Sequence, residues 1–423
     1  MHSQFQMRTF ANSSFAVMGA FISLVGLGLA GVAERACGQN SALSLATGRS
    51  KAEKSSKRTS KEKEPKLEKL LVYVGTYTTG KSKGIYLYEM NAKTGALTLK
   101  SVQDSVNPTF LIVAPDHRHL YSINEIGDFQ GTHNGSVSAF SITPETGELL
   151  PLNVENSGGS GPCFVAADAK GKNLLVAHYG DGLVSVMPIK ADGSVAKVSS
   201  SNQHTGMGVD KNRQEGPHAH SFYLDPANRF ALSADLGTDK VMIYKYDGAK
   251  SKITPNDPAF AALPPGSGPR HMAFHQNGKL LFVINELNST ITGFHYNPNK
   301  GSMEAIETVS TLPADFKGGN STAEILIHPN GKFLYGSNRG HDSIAIFKID
   351  ATTGKLALIG HEPAQCKTPR NFRLDPTGHF MIVAGQDSSN LVVFRVDQTT
   401  GKLSPAGVNI EAPNPVCIKF LTQ

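Results

Sequence analysis

Short runs of alternating apolar and polar residues, separated by turn residues, fill the chain from about residue 70 to its end. In residues 268–309, for example, four such runs are divided by polar turns at 276–279 and 297–301 and by a short loop. Runs of four to eight β-forming residues bounded by Gly, Asn, Asp and Pro are typical of strands joined by tight turns. The pattern therefore predicts an all-β domain.

The same four-strand unit recurs seven times, each time opening on a turn residue that is usually followed by proline. The openings, which are 46 to 55 residues apart, are Asn107-Pro108, Gly161-Pro162, Gly216-Pro217, Gly268-Pro269, Ser321-Thr322, Thr368-Pro369 and Asn414-Pro415. A period near 50 residues with several short strands per unit is typical of a β-propeller, in which each unit is one blade around a central channel. The chain contains no Trp, which excludes the usual WD signature.

The two ends of the repeat region complement each other. Residues 71–77 resemble a second strand that lacks a first strand, whereas residues 416–421 resemble a first strand with nothing after it. Pairing them closes the ring and removes an exposed sheet edge. The sequence therefore predicts a seven-bladed β-propeller over residues 70–423, with the C-terminal strand closing the first blade.

A region of different composition precedes the repeats. Residues 1–38 contain Arg8, a mostly apolar run over 15–33 and then small residues, which is the layout of a signal peptide or a membrane anchor. Residues 39–69 end in a charged, apolar-poor stretch and are predicted to be a disordered linker. We therefore expect a protein exported to the periplasm or the extracellular space, with membrane contact only through this N-terminus.

Charge and cysteine content narrow the function classes. The net charge of +6 arises in the N-terminal region, because residues 70–423 contain 30 Lys or Arg and 30 Asp or Glu. A domain without a basic excess is not expected to bind nucleic acid, which requires cations to neutralise phosphates. The repeat region has three cysteines, too few for a disulfide framework and without metal-ligand spacing, so we expect them to be buried apolar residues.

In some blades ionisable residues replace the small or apolar residues that other blades have at equivalent positions. These positions lie on the first strand and just after the second strand. On the first strand they are His218, His220, Arg270 and Arg370, and after the second strand they are Glu125, Glu286, Arg339 and Gln386 with its polar amide. If both positions face the channel mouth, these side chains converge. Arginines supply planar forks for carboxylate or phosphate, and Glu and His can transfer protons near neutral pH. The set predicts a site for an anionic, oxygen-rich small molecule.

Two kinds of metal site are alternatives to this prediction. His218 and His220 are spaced as alternate strand residues that could ligate zinc, but their neighbours in the repeat are mostly arginines, which would repel a cation. A calcium-dependent propeller would need Asp, Glu and Asn side chains converging on one ion. We expect neither a metal nor another cofactor.

Residues 70–423 resemble the seven-bladed β-propeller lactonase family, which includes enzymes of the 6-phosphogluconolactonase and carboxy-muconate lactonising types. The motifs that carry the resemblance are Gly-Pro-His-Ala-His at 216–220, Gly-Pro-Arg-His-Met-Ala-Phe-His at 268–275, Val-Ile-Asn-Glu-Leu-Asn-Ser at 283–289, Tyr-Gly-Ser-Asn-Arg at 335–339, Thr-Pro-Arg-Asn-Phe at 368–372 and Ala-Gly-Gln at 384–386.

The resemblance implies a metal-free lactone hydrolase acting on a sugar-acid or related lactone, and we expect a monomer. The implied catalytic residues are His220 (or His218), Arg270, Glu286 and Arg339, with either Glu286 or His220 activating water. His218, Arg370, Glu125 and Gln386 are then expected to bind substrate.

Two other functions remain open at this stage. A non-catalytic extracytoplasmic propeller would use the same arginines to bind an anionic ligand or a protein partner, since the fold serves both purposes. A cycloisomerase of the muconate type would run a related step in the lactonising direction. The predicted export signal also leaves the substrate open, because the lactone of the pentose phosphate pathway is cytosolic.

Overall fold

The computed structural model describes residues 69–421, which form 28 β-strands in seven four-stranded sheets. The predicted leader at 1–38 and all of the predicted linker except Lys69 lie outside the described residues. Within residues 69–421 no helix has the length and apolar character needed to cross a bilayer.

Each sheet is one blade of the propeller. Within a blade the four strands lie side by side in the order of the repeat, from the first strand to the fourth. Blades 1 to 4 comprise β28 (Pro415–Leu421), β1 (Lys69–Thr76), β2 (Gly84–Asn91) and β3 (Leu97–Asp104); β4 (Leu111–Val113), β5 (His119–Asn124), β6 (Ser136–Ile142) and β7 (Leu149–Asn156); β8 (Pro162–Ala167), β9 (Asn173–His178), β10 (Leu183–Pro188) and β11 (Ser200–Gln203); and β12 (Ala219–Leu224), β13 (Phe230–Asp235), β14 (Lys240–Asp247) and β15 (Lys252–Ala262). Blades 5 to 7 comprise β16 (Pro269–Phe274), β17 (Leu280–Asn285), β18 (Thr290–Asn297) and β19 (Ser302–Ser310); β20 (Ser321–Ile327), β21 (Phe333–Arg339), β22 (Ser343–Ile349) and β23 (Leu356–Pro363); and β24 (Pro369–Leu374), β25 (Phe380–Gly385), β26 (Asn390–Val396) and β27 (Leu403–Glu411).

The first blade closes the ring as the sequence predicts. Strand β28 pairs antiparallel with β1, placing Val72 opposite Phe420 and Val74 opposite Ile418. The chain's last strand therefore joins its first blade. The predicted seven-bladed, all-β architecture is confirmed.

The core lies between neighbouring blades, because each sheet packs on both of its faces. The second strands β9, β13, β17 and β25 are consequently buried at every position. Aromatic residues of other second strands link neighbouring blades: the Tyr73 hydroxyl on β1 donates to Gly147 O of the next blade at 2.6 Å, and the Tyr335 hydroxyl on β21 donates to Gly401 O at 2.9 Å. The outermost strands, such as β27, are largely exposed on one face.

The first strands line the central channel, because each contacts the first strands of the neighbouring blades around the ring. The fourth strand lies at the opposite edge of each sheet. We call the channel end at which the first strands begin and the second strands end the upper mouth. The opposite end is the lower mouth. Both conspicuous positions of the repeat lie at the upper mouth.

Candidate active site

A β-bulge near the start of the first strand sets the position of several channel residues. In blades 3, 4, 5 and 7 the pairing with the second strand skips one residue, which is Cys163, His220, Arg270 or Arg370. A bulge bends its strand and redirects the side chain of the extra residue. Each of these four blades thus presents one such residue at an equivalent place, and three of the four are His or Arg.

The bulges correct one part of the sequence comparison. Counting from Gly-Pro placed His218 level with Arg270, whereas the structure places His220 there. The backbone confirms the shift: Leu236 N donates to His218 O at 2.9 Å, just as Glu286 N donates to Gly268 O at 2.7 Å. Blade 4 has two additional residues between its Gly-Pro and its first turn, so residue counting was wrong by two in this blade.

The carboxylate of Glu286 is the centre of the site. Its Oε2 accepts a hydrogen bond from Arg270 Nε at 2.9 Å and forms an ion pair with Arg339 Nη2, also at 2.9 Å. Its Oε1 accepts a hydrogen bond from Arg213 Nη2 at 2.6 Å. A single buried carboxylate therefore holds three guanidinium groups, two of which the sequence predicted to lie beside it.

These arginines determine the ionisation of Glu286. Burial by itself would raise the pKa of the Glu286 carboxyl, but the charges of Arg339 and Arg270 hold it well below its ordinary value. The group is therefore ionised throughout the neutral range and is a weak base. Its contacts with Arg213, Arg270 and Arg339 fix the positions of these three side chains.

His220 approaches the same carboxylate from blade 4. Its Nε2 lies 4.0 Å from Glu286 Oε2, and its Nδ1 lies 3.8 Å from Cys163 Sγ. Burial, together with the positive charge of Arg270, lowers the pKa of His220 well below its ordinary value. The imidazole is consequently neutral near pH 7 and can accept a proton.

Arg213 is a site residue that the sequence comparison missed. It lies in the long connection between β11 and β12 and reaches over to blade 5, with Nη2 also 3.2 Å from the Tyr179 hydroxyl. Because this connection is not part of the repeat, no matched position in another blade points to Arg213. Only the unusual length of the connection marks it in the sequence.

A second cluster surrounds Glu125 and Arg370. Glu125 Oε1 accepts from the Tyr77 hydroxyl at 2.8 Å and Oε2 accepts from Thr109 Oγ1 at 2.6 Å. Arg370 Nη2 lies 3.3 Å from the Tyr77 oxygen, and its guanidinium lies over the Tyr77 ring. Tyr77 follows β1 as Glu286 follows β17, so extending the comparison to the first blade would have found it.

One small cavity at the upper mouth joins the two clusters. Its wall contains residues of both, namely Thr109, Glu125, Cys163, His220, Arg270 and Arg370. Together the two clusters contain four guanidinium groups and two carboxylates, Glu125 and Glu286, which leaves an excess of two positive charges when the histidines are neutral. Such a site suits an anionic ligand.

His218 and Gln386 lie less centrally than predicted. The His218 ring stacks on Tyr179 with its Nδ1 bonded to Tyr179 O at 2.6 Å, and its Nε2 lies 3.3 Å from Glu215. Gln386 follows β25 in the expected position, and its N donates to Thr368 O. Gln386 Oε1 and Arg339 Nε are buried without a hydrogen-bond partner among the described residues, so both have capacity to bind a ligand.

The histidine pair does not form a metal site. The bulge at His220 ends the regular alternation, so the two rings contact different groups, Tyr179 and Glu215 for His218, and Glu286 and Cys163 for His220. Over residues 69–421, no three His, Cys, Asp or Glu side chains are grouped closely enough to hold a metal ion. The three cysteines in this range are free and buried, as predicted.

Comparison with known proteins places the chain in a family. Residues 71–420 match the family model described as "Lactonase, 7-bladed beta-propeller". A 6-phosphogluconolactonase of Bacillus subtilis (strain 168) is 37% identical over 359 residues, covering 84% of this chain and 100% of that protein. A 6-phosphogluconolactonase of Formosa agariphila is 37% identical over 310 residues, covering 72% of this chain and 86% of that protein. The solved periplasmic gluconolactonase PpgL of Pseudomonas aeruginosa has a TM-score of 0.79 and 31% identity, covering 84% of this chain and 99% of that chain.

Proposed function

The chain belongs to the seven-bladed β-propeller lactonase family, and from this premise we propose that it hydrolyses a sugar-acid lactone that carries an anionic group. The observation that carries the proposal is the cluster of three arginines on Glu286 beside a neutral histidine. A binding protein would use the arginines but would have little need for a proton acceptor next to them. Hydrolysis uses both.

We assign the anionic group of the substrate to Arg213 and Arg339. These two guanidinium groups are more exposed than Arg270, with side-chain exposures of 40% and 11% against 3%. Arg339 also has the unpartnered Nε. A planar guanidinium binds the oxygens of phosphate or carboxylate in pairs. The excess positive charge of the cluster favours a phosphorylated or carboxylated lactone over a neutral one.

The lactone carbonyl then lies in the small cavity that His220, Arg270 and Arg370 line. Neutral His220 takes a proton from water as the water oxygen adds to the carbonyl carbon. Arg270 stabilises the negative charge that develops on the carbonyl oxygen. The ring C–O bond breaks, the leaving oxygen receives the proton from His220, and a hydroxy acid is released.

In this mechanism Glu286 is a positioning residue. Its carboxylate keeps three mutually repelling guanidinium groups in place, and both of its oxygens are engaged by them. Of the two bases that the sequence left open, we therefore propose His220. One positioned base contributes about 10² to 10⁴ in rate, which is sufficient for an ester as reactive as a lactone.

We also propose that the protein acts outside the cytoplasm as a metal-free monomer. The predicted export signal lies outside the described residues, and the support for this location is the likeness to a gluconolactonase named as periplasmic. The absence of a metal requirement and the monomeric state are predictions from the sequence.

Hydrolysis of a lactone panel by the full-length protein tests the proposal. Acid release at constant pH, corrected for spontaneous opening, is measured on phosphorylated and unphosphorylated gluconolactones with and without EDTA. We expect catalysis in EDTA and a preference for the phosphorylated substrate. Arg213→Met should lower kcat/KM for that substrate by about tenfold or more, since it removes one charge-assisted contact.

Lys211→Met is the matched control, because Lys211 is an exposed cation in the same connection. It should leave the rate unchanged. Absence of acid release from every lactone would refute the hydrolase and favour a binding protein. Equal kcat/KM values for Arg213→Met and Lys211→Met would show that Arg213 does not bind the substrate.

A further inference from the structure

The lower mouth of the channel, like the upper mouth, is lined by residues at matched positions of the repeat. Three places after the bulge position, one residue from each blade lines a single cavity of about 340 Å³ that opens to solvent. These seven residues are Ile112, Ala166, Tyr223, Ala273, Leu326, Arg373 and Lys419. Three residues of extended strand span about 10 Å, so the cavity lies roughly that far below the proposed catalytic residues.

Two adjacent cations interrupt an otherwise uncharged ring. Arg373 and Lys419 lie on β24 and β28, the neighbouring first strands of blades 7 and 1, whereas the other five positions are aliphatic or aromatic. Lys419 Nζ lies 4.4 Å from the centre of the Phe110 ring. Burial lowers the pKa of Lys419.

The one carboxylate in the cavity wall is already engaged. Glu324 Oε1 accepts from His271 Nδ1 at 3.1 Å and from Ile325 N at 3.0 Å, and Oε2 accepts from Asn371 Nδ2. Among the described residues, neither Arg373 nor Lys419 has a carboxylate within ion-pair distance. The cavity therefore keeps an excess positive charge that no protein group neutralises by contact.

A layer of side chains separates this cavity from the upper mouth. The His271 ring packs edge-on against Phe110 and Phe164 at centroid distances of 5.6 and 5.5 Å, and Glu324 joins it to Asn371. These residues come from five different blades and fill the middle of the channel. The lower cavity is therefore a separate compartment from the one that His220 and Arg270 line.

We propose that the lower cavity is a second binding site, specific for a small organic acid with an apolar body. Its carboxylate is bound by Arg373 and Lys419, and its apolar part lies against Ile112, Tyr223 and Leu326. The chemistry follows from the wall, which offers two cations on one side and apolar surface on the other. This inference does not depend on the reaction proposed for the upper mouth.

Binding of 4-fluorobenzoate to the full-length protein, followed by ¹⁹F NMR, tests the site. We expect saturable binding to the wild type, and binding at least tenfold weaker to Arg373→Met and to Lys419→Met, because each change removes a charge-assisted contact. The charge-preserving Lys419→Arg should retain binding and checks that position 419 tolerates substitution. The uncharged 4-fluorobenzamide should bind at least tenfold more weakly than the acid.

Two controls locate the bound probe. Lys332→Met removes an exposed lysine elsewhere and should leave the affinity unchanged. Arg213→Met tests the upper mouth and should also leave it unchanged. The proposal is overturned if the wild type shows no saturable binding, if Arg373→Met and Lys419→Met bind as the wild type does, or if only Arg213→Met loses binding.

Discussion

Two neighbouring residues of the site, Glu286 and His220, both have lowered pKa values, but for different physical reasons. The lowered pKa of Glu286 reflects a charge stabilised by arginines, which engage both of its carboxylate oxygens. The lowered pKa of His220 reflects a charge disfavoured by burial, which keeps the imidazole neutral and available. Glu286 is thus suited to positioning and His220 to proton transfer.

The pH dependence of variants separates these two roles. His220→Asn should lower kcat about 10²-fold or more and remove the acidic limb of the pH–rate profile, since the titrating base is gone. In the wild type this limb should lie below pH 6.5, because the pKa of His220 is lowered and its neutral form persists as the pH falls. Initial rates between pH 4.5 and 8 measure both effects.

Glu286→Gln is the discriminating variant for the same experiment. It should also lose activity, because three guanidinium groups lose their common anchor, but it should retain the acidic limb. A profile that keeps its acidic limb in His220→Asn and loses it in Glu286→Gln would reverse the two assignments.

The residues of the site differ in how far the sequence could predict them. Arg270, Glu286 and Arg339 lie where the repeat comparison placed them, because equivalent strand positions converge on the channel. His218 was misplaced by the two additional residues of blade 4, which only backbone pairing reveals. Arg213 could not be inferred, since its contact depends on the path of an irregular connection.

At the level of elements, the first-strand bulges and the outer hairpins place the residues of each blade. The predicted strands agree with the structure to within a residue or two, as in blade 5, because turn residues mark their ends. The bulges were not predicted, since a bulge adds one residue without any distinctive residue type. Sequence patterns therefore give the strands, while the exact channel-facing residues require the pairing register.

The hairpin glycines allow an element-scale prediction. Gly401 and Gly278 both have positive φ, at 74° and 66°, but a Cβ at Gly401 would come within 2.5 Å of the Phe333 ring, whereas one at Gly278 would meet nothing within 4 Å. Gly278→Ala should cost about 1 kcal/mol through backbone strain alone. Gly401→Ala should cost at least about 2 kcal/mol more, because the buried ring must move.

Urea unfolding of both variants, followed by far-UV circular dichroism, measures the difference. Gly278→Ala serves as the matched control, because it shares the left-handed conformation but not the close contact. Equal midpoints for the two variants would show that the Phe333 contact adds nothing to the backbone strain.

At the scale of the whole molecule, ring closure brings residues from distant parts of the sequence into one channel. The lining of the upper cavity extends from Thr109 to Val416, and its residues meet only because β28 pairs with β1. The same closure places Arg373 beside Lys419 at the lower mouth. The period of the repeat predicted the propeller. It does not encode which charged side chains contact one another, because those contacts depend on side-chain length.

The channel also couples folding to pH, because it buries histidines in their neutral form. Burial lowers the pKa of His271 to about 4, and burial also lowers the pKa values of His220 and His178. In the unfolded chain these groups have pKa values near 6.5. Between about pH 6.5 and 4 the unfolded state therefore binds protons that the folded state does not, and stability must fall as the pH falls.

His271 alone should reduce the free energy of unfolding by about 2 kcal/mol between pH 7 and 5, since its pKa lies near 4 when folded and near 6.5 when unfolded. Urea unfolding midpoints at the two pH values measure the effect. His271→Gln should lower the midpoint at pH 7 but make it less sensitive to pH, because one titrating group is removed. His379→Gln, at an exposed position, should keep the wild-type pH dependence. A wild-type midpoint that is the same at pH 7 and pH 5 would contradict the lowered pKa of His271 in the folded state.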